Sequence, residues 1–161
     1  MIRAFVGVRL DPEVTGKISE AQLQLRSKLP GVRWVARENL HFTIKFLGSV
    51  AEEKIGPIME ALEQPVRAVQ RFSVAARGIG VFPGVNRPRV LWVGLQGEAL
   101  AGLVSGVERA LEPLGFARER RAFQPHLTIG RWRNPGNSSA GLGREIESRK
   151  EREFGASWVE E

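Results

Sequence analysis

Residues 40–48 read LHFTIKFLG, an apolar run interrupted by a histidine and a threonine two positions apart. In a strand successive side chains point to opposite faces, so His41, Thr43, Lys45 and Leu47 share one face and Leu40, Phe42, Ile44 and Phe46 the other. One face is apolar and suited to a core. The other carries chemistry. A single strand histidine is more often a solvated or hydrogen-bonded residue than a catalyst. The pattern returns, however, 85 residues later as HLTIGRW at 126–132, with His126 and Thr128. These are the only two histidines, and the threonines are Thr15, Thr43 and Thr128. A shuffled chain would place a threonine two positions after both histidines about once in four thousand arrangements.

Working outward, residues 2–9 alternate as a strand, and Asp11 with Pro12 supplies an N-cap and a first helical position. Val14, Ile18, Ala21, Leu25 and Leu29 follow at helical spacing, predicting a helix over 12–29 that ends at Pro30 and Gly31. VRWVA leads into the 40–47 strand. Ser49 with Glu52 has the pattern of a capping box for a second helix with Ile55, Met59, Leu62 and Val66 as its buried stripe. RFSVAARGIGVF (71–82) and VLWVGL (90–95) read as strands, and the VFPG and NRPR turns between them as structural. A third helix over 98–114 turns Leu100, Leu103, Val104, Val107, Leu111 and Leu114 inward. The approach GFARERRAFQP then delivers the 126–132 strand, a short helix is expected near 143–151, and EFGASWV (153–159) closes as a strand. The order divides into two similar halves. Each passes from a helix through a glycine (Gly31, Gly115) to a His-x-Thr-Ile strand. A duplicated α+β unit of this kind, one domain of two lobes over 1–161, brings the two histidine faces together across a shared groove.

The composition is that of a globular chain, 42% hydrophobic and 26% charged over 161 residues. No cysteine is present, which excludes disulfides and thiolate chemistry. The opening MIRAFVGVRL reads as a first strand rather than a leader, and no run approaches a membrane span, so a cytoplasmic protein is expected. The two histidines lack any His-x-His, HExxH or carboxylate cluster at ligand spacing, so no metal site is expected. A net charge of +6, with Arg87 and Arg89 in one loop and Arg118, Arg120, Arg121, Arg131 and Arg133 around the second motif, favours an anionic partner, nucleic acid above all.

Two imidazoles facing each other suit one reaction class. An ordinary histidine titrates near ~6.5, so near neutral pH an imidazole can serve either as acid or as base, and one of a pair can hold a proton while the other lacks it. In-line displacement at phosphorus needs a proton carrier on each side, and threonine hydroxyls on the same faces donate to the non-bridging oxygens. His41 and His126 are therefore the candidate acid–base pair, with Thr43 and Thr128 as phosphate donors. Strict alternation puts Arg131 opposite His126, and a bulge at Gly130 is what would turn it inward; otherwise it is a surface or buttressing arginine. Phe5 and Trp34 are candidates for base stacking or groove lining, or for packing alone. Lys45 shares the His41 face and is a candidate to steer phosphate, or is simply solvated.

RWVARENLHFTIKFLG, GIGVFP, PRVLW and FQPHLTIGR together resemble the 2H phosphoesterase superfamily, and within it the bacterial and archaeal RNA 2′,3′-cyclic phosphodiesterases, historically called 2′-5′ RNA ligases. The resemblance implies a bilobal, pseudo-two-fold α+β fold in which two antiparallel sheets line a central groove with helices outside. It implies a cofactor-free, metal-independent monomer that opens 2′,3′-cyclic phosphate ends of RNA, tRNA fragments among them, to 2′-phosphates. His126 would be the base, His41 the acid and Arg131 a phosphate contact. The other activities to weigh are 2′-5′ joining in the same groove and a non-catalytic RNA-end-binding module. Relatives continue past SWVEE with the rest of that strand and one more strand, so a shortened C-terminus with an open sheet edge is expected.

Overall fold

The computed structural model describes residues 1–134 and 141–159. Along the chain run β1 (Ile2–Val8), α1 (Pro12–Arg26), β2 (Val32–Trp34), β3 (Phe42–Val50), α2 (Ile55–Ala68), β4 (Phe72–Phe82), β5 (Val90–Gln96), α3 (Leu100–Leu111), β6 (His126–Trp132), α4 (Leu142–Glu147) and β7 (Glu153–Val159). The strands pair in the order β1-β3-β6-β5-β4-β7, all antiparallel, with β2 also on β6. The mixed, antiparallel fold agrees with the sequence. The two expected sheets, however, are arms of one ladder, joined by the single pair Phe42↔Leu127 between β3 and β6.

The helices interlock the halves. α1, from the first half, packs on β7 of the second, while α3, from the second half, packs on β3 of the first and against α2. Phe42, Leu127, Ile129, Leu91 and Val93 are fully buried beneath them. On the other side of the sheet His41, Thr43, His126 and Thr128 are half-buried, while Phe46 and Arg131 are exposed. No helix among the described residues is long and apolar enough to cross a membrane.

Local chemistry departs from the simplest reading at three places. α1 ends at Arg26, yet Leu29 stays buried because its N–H donates to the Leu25 carbonyl at 2.9 Å in one further turn. Asp11 stands at the N-cap without capping: its carboxylate accepts the Trp158 N–H at 3.3 Å and its own N–H donates to buried Ser157 Oγ at 2.8 Å, fastening the head of α1 to β7. The Ser49–Glu52 capping box does not form. β3 runs on through Val50, and Glu52–Lys54 makes a 3₁₀ turn that rotates the entry to α2. Ile58 and Pro65 are consequently buried, whereas Met59 and Val66 are exposed. At the edge of α4, the hydrogen bond from Arg149 to Glu145, 2.6 Å long, holds that carboxyl below the ordinary carboxylate range, with Lys28 assisting.

Candidate active site

β3 and β6 share a surplus residue at the equivalent position, and β3 has a second, Leu47, between Phe5↔Phe46 and Ala4↔Gly48. On β3, Gly7↔Thr43 is followed by Val6↔Lys45, leaving Ile44 without a partner; on β6, Trp92↔Thr128 is followed by Leu91↔Gly130, leaving Ile129 over. A bulge reverses the alternation beyond it. On β3, Phe42, Ile44 and Lys45 therefore lie on the buried side, and His41, Thr43 and Phe46 on the open side. On β6, Leu127, Ile129, Gly130 and Trp132 are buried, and His126, Thr128 and Arg131 face outward.

Both bulges correct the alternation-based expectation. Lys45 is not on the histidine face: it is buried and ion-paired with Glu108 of α3 at 2.8 Å. Phe46 takes its place, 72% exposed and 6.5 Å, centroid to centroid, from Phe5. Arg131 is turned to the open side, because Val90, its partner on β5, shares a face with Trp92, the partner of Thr128. Trp34 is also corrected. It pairs with Gly130 on the buried side and packs against the core, where a Cβ on Gly130 would lie 3.5 Å from its ring.

The β6 bulge has a dedicated support. Gln22 of α1, 4% exposed, donates its Nε2 hydrogens to the carbonyls of Ile129 and Val35, each at 2.9 Å. The Ile129 carbonyl also accepts the Val35 N–H at 3.0 Å and keeps that donor without the amide, so it is the Val35 carbonyl that would be left without a partner, at about 1–3 kcal/mol. Gln22→Leu should therefore lower the unfolding free energy by about that amount in urea titrations with an unchanged slope; an unaltered midpoint would show that the amide is not needed.

The two histidines are held alike. His41 Nδ1 lies 2.7 Å from the Asn39 carbonyl and His126 Nδ1 lies 2.7 Å from the Gln124 carbonyl, in both cases the residue two before. A carbonyl only accepts, so each Nδ1 carries hydrogen and Nε2 is left as the nitrogen that gains or loses a proton. Each ring also rests on a phenylalanine. Phe5 stacks on His41 with centroids 4.6 Å apart, and Phe82 meets His126 edge-on at 5.1 Å while packing on Trp92 at 5.0 Å. Glycines make these approaches possible: a Cβ on Gly7 would sit 2.8 Å from Phe5 and 3.2 Å from His41, and one on Gly80 would sit 2.2 Å from Trp92.

Continuing the Phe42↔Leu127 register places His41 opposite Thr128 and Thr43 opposite His126. Were the pairing ideal on either side of that single pair, the imidazoles would stand on a diagonal about 7–8 Å apart. Among the described residues neither threonine hydroxyl has a protein partner, so both remain free to donate. Phe82 and Phe46 were missed by the sequence reading, the first because its strand reaches His126 only through β5, the second because the bulge hides it. Among the described residues no three His, Asp or Glu side chains gather to hold a metal ion.

RNA 2′,3′-cyclic phosphodiesterase of Methanothermobacter thermautotrophicus is 37% identical over 137 residues, 84% of this chain and 74% of that protein. The protein of the same name from Archaeoglobus fulgidus is 40% identical over 131 residues, 81% of this chain and 72% of its own. The crystal structure of TT0787 of Thermus thermophilus superposes with a TM-score of 0.76 at 28% identity, covering 98% of this chain and 84% of that one. The family model for LigT-like phosphoesterases matches residues 8–92, from the end of β1 through the first histidine motif to Trp92 on β5. With its doubled His-x-Thr strands on one open face, the chain belongs to the LigT-like phosphoesterase family of the 2H superfamily.

Proposed function

We propose that this protein is an RNA 2′,3′-cyclic phosphodiesterase. The observation that carries the reading is the pair of imidazoles on one face, each locked by its own i−2 carbonyl so that Nε2 is the proton-exchanging atom. His126 takes a proton from water as the water oxygen attacks phosphorus. The P–O3′ bond breaks on the far side, and His41 gives its proton to the departing 3′ oxygen, leaving a 2′-phosphate and a 3′-hydroxyl. Thr43, Thr128 and Arg131 hold the non-bridging oxygens as negative charge gathers there. Both motifs come from one chain, so a monomer suffices.

The test is incubation of the purified protein, in excess EDTA, with an oligoribonucleotide ending in a 2′,3′-cyclic phosphate. A 2′-monoester product is expected. A persistent cyclic end, or a 3′-monoester, contradicts the proposal. Release of the cyclic end only after divalent metal is added would contradict its metal-free chemistry.

A further inference from the structure

Arg33 of β2 is paired directly with Arg131 of β6. Cross-strand partners in an antiparallel pair share a face, and like charges placed opposite each other repel. The face is the open one, because Arg131 pairs on its other side with Val90, which stands two residues from Trp92, the partner of Thr128. Both arginines are exposed. Among the described residues no carboxylate pairs with either of them. Two facing guanidiniums without a counter-charge, on the same surface as the histidines, form a site for an anion.

Position says which anion. Arg131 lies three residues along β6 from Thr128, at most about 10 Å by strand rise, and Arg33 lies one strand spacing, about 4.8 Å, to the side. Arg33 thus stands farther than Arg131 from the group held by the histidines and threonines, on the side where the next negative charge along the chain can be met. In an RNA with a 2′,3′-cyclic end that charge is the phosphodiester on the 5′ side of the terminal ribose. We infer that Arg33, next to the Arg131 that holds the reacting phosphate, forms a second phosphate subsite that makes the enzyme prefer an RNA strand to a free cyclic nucleotide. The inference rests on the phosphodiesterase reading above.

The experiment compares kcat/KM for a nucleoside 2′,3′-cyclic monophosphate, which has no 5′ phosphodiester, with that for a tetraribonucleotide carrying the same terminal nucleotide and cyclic end. The tetranucleotide should be preferred by the wild-type protein. In Arg33→Gln that preference should fall about tenfold, as loss of one charge-assisted hydrogen bond implies, chiefly through KM. Arg33→Lys should restore part of it, since charge is kept and the bidentate fork is lost. The salt dependence of the tetranucleotide reaction should also become shallower in Arg33→Gln, by about 0.7 in the log–log slope for one phosphate contact on a single strand. Turnover of both substrates with an unchanged preference in Arg33→Gln overturns the subsite while leaving the phosphodiesterase reading intact. Absence of turnover of either substrate by the wild-type protein overturns both.

Discussion

His41→Ala and His126→Ala should each lose about 10²- to 10⁴-fold in kcat on a cyclic-phosphate-ended oligonucleotide, the usual contribution of one positioned proton carrier. Both side chains lie on the open face, and each loses only one hydrogen bond to a carbonyl and one ring contact, so the variants should stay folded. The double variant should fall well short of the product of the two losses, because a displacement that lacks its base gains little from keeping its acid. The pH profile separates the roles. Wild type should give a bell. A base must be unprotonated to act, so the variant lacking it loses the acidic limb; an acid must be protonated, so the variant lacking it loses the alkaline limb. His126→Ala is expected to flatten the acidic side and His41→Ala the alkaline side. A reversed pattern would exchange the roles, and near wild-type kcat in either variant would remove that histidine from the chemistry. Phe5→Leu and Phe82→Leu provide controls, since they alter the ring supports without deleting a proton carrier.

The doubled motif was legible because it is written in local terms: His-x-Thr at strand period, twice, in a chain with two histidines. The strand at 126–132 and the final strand at 153–159 follow from alternation and coincide with β6 and β7. What alternation does not encode is a bulge, which is set by partners distant in sequence. Nothing in HFTIKF says that Val6 will sit opposite Lys45 rather than Ile44, and nothing in HLTIGR says that Gln22, more than a hundred residues earlier, will hold the Ile129 carbonyl. Every misplaced residue on these strands follows from that one omission: Lys45 assigned to the groove, Phe46 assigned to the core, Arg131 left between two faces. Trp34 belongs to the same class, since its side of the sheet is decided by its pairing with Gly130 after the bulge. Residues 135–140, PGNSSA, and the last two residues lie outside the described structure.

Lys45→Met should cost about 3–5 kcal/mol of stability, a large part of the roughly 5–15 kcal/mol that holds a domain of this size together. Lys45 Nζ donates to Glu108 Oε2 at 2.8 Å and to the Ala117 carbonyl at 2.8 Å, and the same carboxylate oxygen accepts the Glu119 N–H at 3.1 Å. The two side chains are 7% and 12% exposed. Removing the ammonium leaves a carboxylate inside the protein without its cation, which is far more costly than deleting both charges together. Glu108→Met should be damaging for the mirror reason. The double variant should recover part of the loss but not all, because the Ala117 carbonyl and the Glu119 N–H would still lack their partners, at about 1–3 kcal/mol each where buried. Urea midpoints for the four proteins measure this cycle directly. The network joins β3, which carries His41, to α3 and to the segment that leads into His126, so the double variant should also turn over more slowly at temperatures where it is folded. The comparison that decides is with Lys17→Met on the exposed face of α1, whose 3.9 Å pair with Glu13 should contribute under about 1 kcal/mol. If Lys45→Met were no more harmful than Lys17→Met, Lys45 would belong on the open face as simple alternation has it. The bulge at Ile44, and with it the placement of Phe46 beside the histidines, would then be wrong.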